Sequence, residues 1–159
     1  MATPYEELTK LAIADSRDFY QERSDCSNCI EIAISKLAEY LQAPPGSVSF
    51  VKLDKDLHRT DETSGNPILT SAPDRAWHFG VQIQFRDKGS LHFGVVTLSM
   101  SVQPSGENFV LRFDREFLVN PKQSDSFNPF VEYVYSSLAA DYRKPRRTRR
   151  QQIGFTAGA

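Results

Sequence analysis

The chain is short of several things, and each shortage closes a class of explanation. With two cysteines in 159 residues it cannot be a small scaffold stapled by disulfides. No apolar run approaches the ~18 residues that a membrane-spanning helix needs. The opening Met1-Ala2-Thr3-Pro4-Tyr5-Glu6-Glu7 is acidic and has no apolar core, which argues against a secretory leader and for a cytoplasmic setting. Neither a glycine-rich phosphate loop nor a dinucleotide fingerprint occurs, and no cofactor is expected. What remains is an ordinary globular composition, 40% hydrophobic and 25% charged, on a chain long enough to bury one sizeable core.

The net charge of −1 hides an asymmetry. Arg143, Lys144, Arg146, Arg147, Arg149 and Arg150 fill six of eight consecutive positions, leaving 13 of the 19 basic residues to face 20 acidic ones elsewhere. An acidic body repels nucleic acid and anionic lipid, whereas the basic run attracts both. These six cations are therefore the candidate phosphate or nucleic-acid contacts. On duplex DNA six such contacts would give a log–log salt slope of roughly −5. No aromatic residue is interleaved to stack on bases, which disfavours single-strand recognition. Residues 143–159 are expected to form a disordered basic tail on a single domain spanning 1–142.

Periodicity supplies the elements. Residues 4–20 read as a helix, with Tyr5, Leu8, Leu11, Ala12 and Phe19 near helical spacing. Gln21-Glu22-Arg23-Ser24-Asp25 reads as a polar break. A second helix over about 25–42 carries Cys26, Cys29, Ile30, Ala33, Leu37, Tyr40 and Leu41 on one stripe, with Ser24 or Asp25 as its cap and Pro44-Pro45-Gly46 as its stop. Residues 47–53 read as a strand. The polar stretch 54–76 has no sustained period and is expected to be a long loop.

Three strands at 77–86, 91–102 and 108–116 form a meander. Pairing Arg86 with Leu91 sets Phe79 against Leu98 and Val81 against Val96. Pairing Gln103 with Asn108 sets Leu98 against Phe113 and Met100 against Leu111. Both turns put the same side of the middle strand on the apolar face, and a one-residue slip would reverse it. A last helix over about 129–142 begins at Asn128-Pro129 and buries Val131, Val134, Tyr135, Leu138 and Tyr142. The predicted fold is α+β and two-layered: a four-stranded, mainly antiparallel sheet, with the three-strand meander at 77–116, covered on one face by helices at about 25–42 and 129–142.

Few residues survive a test of chemical geometry. Cys26-Ser27-Asn28-Cys29 lies on an apolar stripe without the strand that a redox motif follows, so both cysteines read as small core hydrophobes. A zinc site would need a second pair of ligands. Asp54, Asp56 and His58 fail the calcium-loop spacing. His78, Ser99 and Asp114 resemble a triad in composition only, because His78 and Asp114 lie two strands, about 9–10 Å, apart. No catalytic residue and no metal ligand is assigned. The outer sheet face instead offers a polar-lined ligand surface of His78, Gln82, Gln84, Ser99 and Arg112. Phe50, Phe93 and Val95 would make a dimer surface if exposed.

The leading functional expectation is a non-enzymatic binding or adaptor protein. It would engage a protein or small ligand through the sheet face or the long loop, with the basic tail as an electrostatic anchor. The alternatives are a nucleic-acid-associated protein binding through the tail, and a small-ligand-binding domain or enzyme with a pocket between sheet and helices.

Overall fold

The computed structural model describes residues 1–86, 93–145 and the backbone of 156–158. The first helix, α1 (Pro4–Leu41), is one 38-residue element, about 57 Å long at 1.5 Å per residue. Thr3 Oγ1 accepts from the Glu6 N–H at 3.2 Å, and the Glu6 carboxylate accepts from the Thr3 N–H at 3.3 Å. This capping box satisfies two groups that the first turn leaves unpaired. The expected break at 21–25 is absent, and neither Ser24 nor Asp25 caps a helix. The segment contains no glycine or proline, its Gln, Glu and Arg are good helix formers, and Gln21 Nε2 donates to Asp25 Oδ1 one turn on at 2.9 Å. Polarity alone does not stop a helix. The far end stops where Gln42 turns left-handed at φ 52°, followed by Pro44 and Pro45.

The remaining elements are β1 (Val48–Leu53), β2 (Arg59–Ser64), β3 (Thr70–Ser71), β4 (Trp77–Arg86), β5 (Phe93–Ser105), β6 (Asn108–Phe113), β7 (Arg115–Val119), a 3-10 turn at Ser124–Phe127, α2 (Asn128–Arg143) and β8 (Thr156–Gly158). The sheet is antiparallel and runs β2-β1-β4-β5-β6-β7, with β3 added to β4 and β8 to β5. The α+β architecture is as expected, but the sheet has more than four strands. Two of the additional strands lie in the stretch expected to be a loop. There Asp54 Oδ1 accepts from the N–H groups of Asp56 and His58, both at 2.9 Å, which closes a turn and folds Arg59–Ser64 back on β1. Side-chain alternation could not reveal β2, because almost none of it is buried. The strand β7 follows a one-residue reversal at Asp114, which has φ 62°. An aspartate can adopt that conformation without the glycine that usually advertises it.

The meander keeps its faces but shifts its partners. Phe79 pairs with Met100, Val81 with Leu98 and Arg86 with Phe93. Across the next pair, Val102 faces Leu111 and Ser105 faces Asn108. Each register is two residues from the expected one, and an even slip leaves every side chain on its own side. In the second hairpin the loop tightens to Gly106-Glu107, with Gly106 at φ 64°, and Pro104 stays inside β5. The ladder with β4 ends at Val102, so Pro104 has one neighbour fewer to supply with a donor.

The core lies between this sheet and the helices. Trp77, Phe79, Val81 and Ile83 from β4 and Val96, Leu98, Met100 and Val102 from β5 meet Cys26, Cys29, Ile30, Ala33 and Leu37 of α1. From α2 come Phe130, Val131, Val134 and Leu138. Two expected members of that last stripe, Tyr135 and Tyr142, lie on the surface; Phe130 and Asp141 are buried instead. Asn128 does not cap α2, because the preceding 3-10 turn runs directly into it. Phe50 and Val95 are buried, which removes two of the three residues of the expected dimer surface. The side chain of Phe93 lies outside the described set.

Gly80 fixes how close β1 comes. A Cβ there would lie 2.9 Å from the Val51 carbonyl oxygen and 3.1 Å from Leu53 Cδ2, so no other residue fits without moving that strand. The pairing of Val51 with Gly80 anchors β1 beside the outer-face row described next.

Candidate functional site

The outer sheet face carries a cross-strand row that runs Thr70, His78, Ser101, Arg112, Glu116 across β3, β4, β5, β6 and β7. His78 Nε2 bonds Asp74 Oδ2 at 2.8 Å. Burial pushes the Asp74 carboxyl up, but the Ala76 N–H at 3.0 Å, the His78 ring and the Arg112 charge outweigh it and hold the group below its ordinary range. Arg112 donates through Nε to Glu116 Oε1 at 3.0 Å and through Nη1 to Gln103 Oε1 at 3.2 Å. Within the row the Arg112 and Glu116 charges therefore offset each other. A shallow depression of about 360 Å³ lies over it.

Of the five residues expected to form a ligand surface, His78, Ser99 and Arg112 line this depression together. The shift in register gives His78 Ser101 as its cross-strand partner and places Ser99 opposite Gly80. Gln82 and Gln84 do not join them. Gln82 is buried with its Oε1 unpartnered, directly opposite the equally buried Thr97, whose Oγ1 is also unpartnered. Gln84 lines a separate cleft of about 530 Å³ at the sheet rim, bounded by Leu41–Ser47 and Ile83–Arg86. Asp74, Ser101 and Glu116 were not anticipated. Asp74 lay hidden in the stretch read as a loop, although its position four residues before His78 was in plain view.

Asp74, His78 and Ser101 now supply the three residue types of a triad, but not its machinery. Ser101 sits mid-strand between ladders to β4 and β6, so the surrounding N–H groups are committed and none is aimed at an oxyanion. Cys26 and Cys29 are fully buried free thiols. Burial pushes both up to about 12, assisted at Cys26 by the charges of Glu22, Cys29 and Asp25. Thiols held protonated in this way are unreactive. In the turn at 54–58 the His58 N–H, opposed by desolvation and helped by the Asp56 N–H, holds Asp54 below its ordinary range. Its carboxylate is spent on the backbone. Among the described residues no three side chains are grouped to hold a metal ion. None of their helices is long and apolar enough to cross a membrane. Of the six basic candidates, Arg143 and Lys144 are exposed at the end of α2; Arg146, Arg147, Arg149 and Arg150 lie outside the described residues.

Protein-family models, curated proteins and solved structures give no match to this chain. The site has to speak through its own geometry.

The feature that sequence reading passed over is the outer half of α1. Every residue from Pro4 to Asp25 is exposed except the half-buried Glu22, and about 22 Å of helix, from Pro4 to Asp18, stands clear of the core. At 3.6 residues per turn, Tyr5, Leu8, Leu11, Ala12 and Phe19 fall on the same side of the rod as the buried Cys26, Cys29, Ile30 and Ala33. Yet Tyr5 is 79% exposed, Leu8 65%, Leu11 66% and Phe19 47%. Contact with the body begins at Phe19, whose ring lies 5.2 Å from that of Trp77, and at Glu22, whose Oε1 accepts from Trp77 Nε1 at 3.3 Å. The signal was legible, because the apolar residues before the polar stretch at 21–25 and those after it share one angular sector of a single helix.

Proposed function

We propose that this chain is a non-enzymatic binding protein, an adaptor whose recognition surface is the outer half of α1. One observation carries the reading: the apolar stripe that the sheet covers from Cys26 onward continues, uncovered, to Tyr5. Four large side chains half to four-fifths exposed present on the order of 500 Å² of apolar surface, the size of patch that marks an interaction site. The capping box at Thr3 and Glu6 and continuity with the buried half supply a nucleated helix before any partner arrives, which lowers the ordering cost of binding. A cytoplasmic setting suits the two free thiols. The basic run serves as an auxiliary electrostatic anchor, and the nucleic-acid alternative rests on it alone.

Site-specific photo-crosslinking in cells tests this. A benzophenone side chain at Ala12 is expected to give a discrete protein adduct that Leu8→Ser/Leu11→Ser abolishes. The same probe at Ser99 is expected to give none. Adducts from Ser99 alone would move the function to the sheet face, and nucleic-acid adducts from either position would favour the tail reading.

A further inference from the structure

The borders of the stripe specify the chemistry of what covers it, and this inference rests on the reading of α1 as a docking surface. Placed around the helix at 3.6 residues per turn, Glu7, Asp18 and Asp25 follow one border of the Tyr5–Phe19 line, and Asp15 and Glu22 lie within it. The other border carries Thr9, Ser16 and Arg23, while Lys10 and Arg17 fall on the back. One border is thus acidic along its whole length and has no cation on it. Glu22 and Asp25 are occupied by Trp77 and Gln21. Glu7, Asp15 and Asp18 have no hydrogen-bond or ionic partner among the described residues.

This pattern argues against a second copy as the occupant. An antiparallel pair would set acidic border against acidic border, and a parallel pair would oppose Asp15 to Asp15 and Glu22 to Glu22 in the seam. The chain's own basic run has cations at six of eight positions from Arg143 to Arg150 and no large apolar residue among them, so its composition matches the acidic border but not the apolar stripe. Anionic lipid is repelled by the same border.

We propose that the occupant is a cationic amphipathic helix of another protein. It lays Leu-type side chains along Leu8, Leu11, Ala12 and Phe19 and sets Lys or Arg against Glu7, Asp15 and Asp18. Apolar contact gives the affinity, and the acidic border selects the sign of the partner.

The test uses the full chain and three fluorescein-labelled helical peptides of about 18 residues, enough to cover the stripe. One has a leucine stripe bordered by lysine, one the same stripe bordered by glutamate, and one lysines without leucine. Fluorescence anisotropy is expected to show the leucine–lysine peptide binding at least about tenfold more tightly than either control. Asp15→Lys/Asp18→Lys should reverse the preference between the two leucine peptides, and Leu8→Ser/Leu11→Ser should remove binding of both. Circular dichroism verifies that each variant retains its helix. A leucine–lysine preference unmoved by Asp15→Lys/Asp18→Lys overturns the charge assignment and leaves the docking surface standing. Binding indifferent to Leu8→Ser/Leu11→Ser, or absent for all three peptides, overturns the docking surface as well. A Leu8-dependent dimer in sedimentation would identify the occupant as a second copy and overturn the proposal.

Discussion

The inner and outer halves of α1 carry the same kind of stripe and meet opposite fates. From Cys26 to Leu37 the apolar side chains lie against Phe79, Leu98 and their neighbours and are essentially removed from solvent. From Tyr5 to Phe19 equivalent positions stand in water. Propensity and periodicity are shared, so neither explains the difference; the sheet simply ends. Leu37 belongs to the core because β-strands lie under it, whereas Leu8 has the residue type and the angular position of a core residue without a core. A stripe kept where the fold does not use it is the physical ground for assigning it to a partner.

The comparison can be broken most sharply at its thiols. Cys26 and Cys29, with thiols pushed up to about 12, should not react with a disulfide reagent in the native protein at pH 8. A cysteine placed on the same stripe by Ala12→Cys should react at least about a thousandfold faster, as thiolate fraction and access both dictate. Equal rates would mean that the inner half opens as freely as the outer. The sign with pH follows from the same burial. Between about pH 9 and pH 12 unfolded thiols lose protons while folded ones hold theirs. Native stability due to these groups is therefore complete below pH 9 and lost as pH rises through that window. Urea titrations over that range check it.

A smaller contrast comes from truncating one leucine in each half. Leu37→Ala should lower unfolding stability by about 2–5 kcal/mol through the cavity it leaves. Leu8→Ala should stay within about 0.5 kcal/mol, as exposed substitutions do. If Leu8→Ala costs as much as Leu37→Ala, the outer half is already covered in solution. The most local effect is expected at the tip. Thr3→Ala removes the cap and should weaken the helix start by about 1 kcal/mol, seen as faster amide exchange in the first turns with no change in the unfolding midpoint of the body.

The parts of this fold that were legible in the sequence are those where burial imposes a period. Alternation in 77–113 fixed which residues face the core, but it could not distinguish registers two residues apart, since parity is all that a period of two encodes. The true register puts Ser101 beside His78 and so changes the membership of the outer-face row without moving a single core residue to the other side. Where burial imposes no period, the reading failed. Arg59–Ser64 pairs with β1 while its side chains stay largely in solvent, so nothing in its pattern distinguishes it from a loop. Asp74 was lost with that segment. The polar run Gln21–Asp25 mimics a break although it is helical throughout, and a break there would divide one stripe into two unrelated ones. Tyr135 and Tyr142 were drawn inward by residue type, whereas their rings meet Tyr40 and Phe85 at the surface.

The absence of any glycine or proline between Tyr5 and Leu41 has a mechanical corollary. Such a rod has no built-in joint, so its free tip keeps a set bearing relative to the slab in which its other end is rooted. Cargo gripped at the tip would be held at a defined angle, like a flag on a mast, and a pull on it would be felt first where Phe19 and Glu22 touch Trp77.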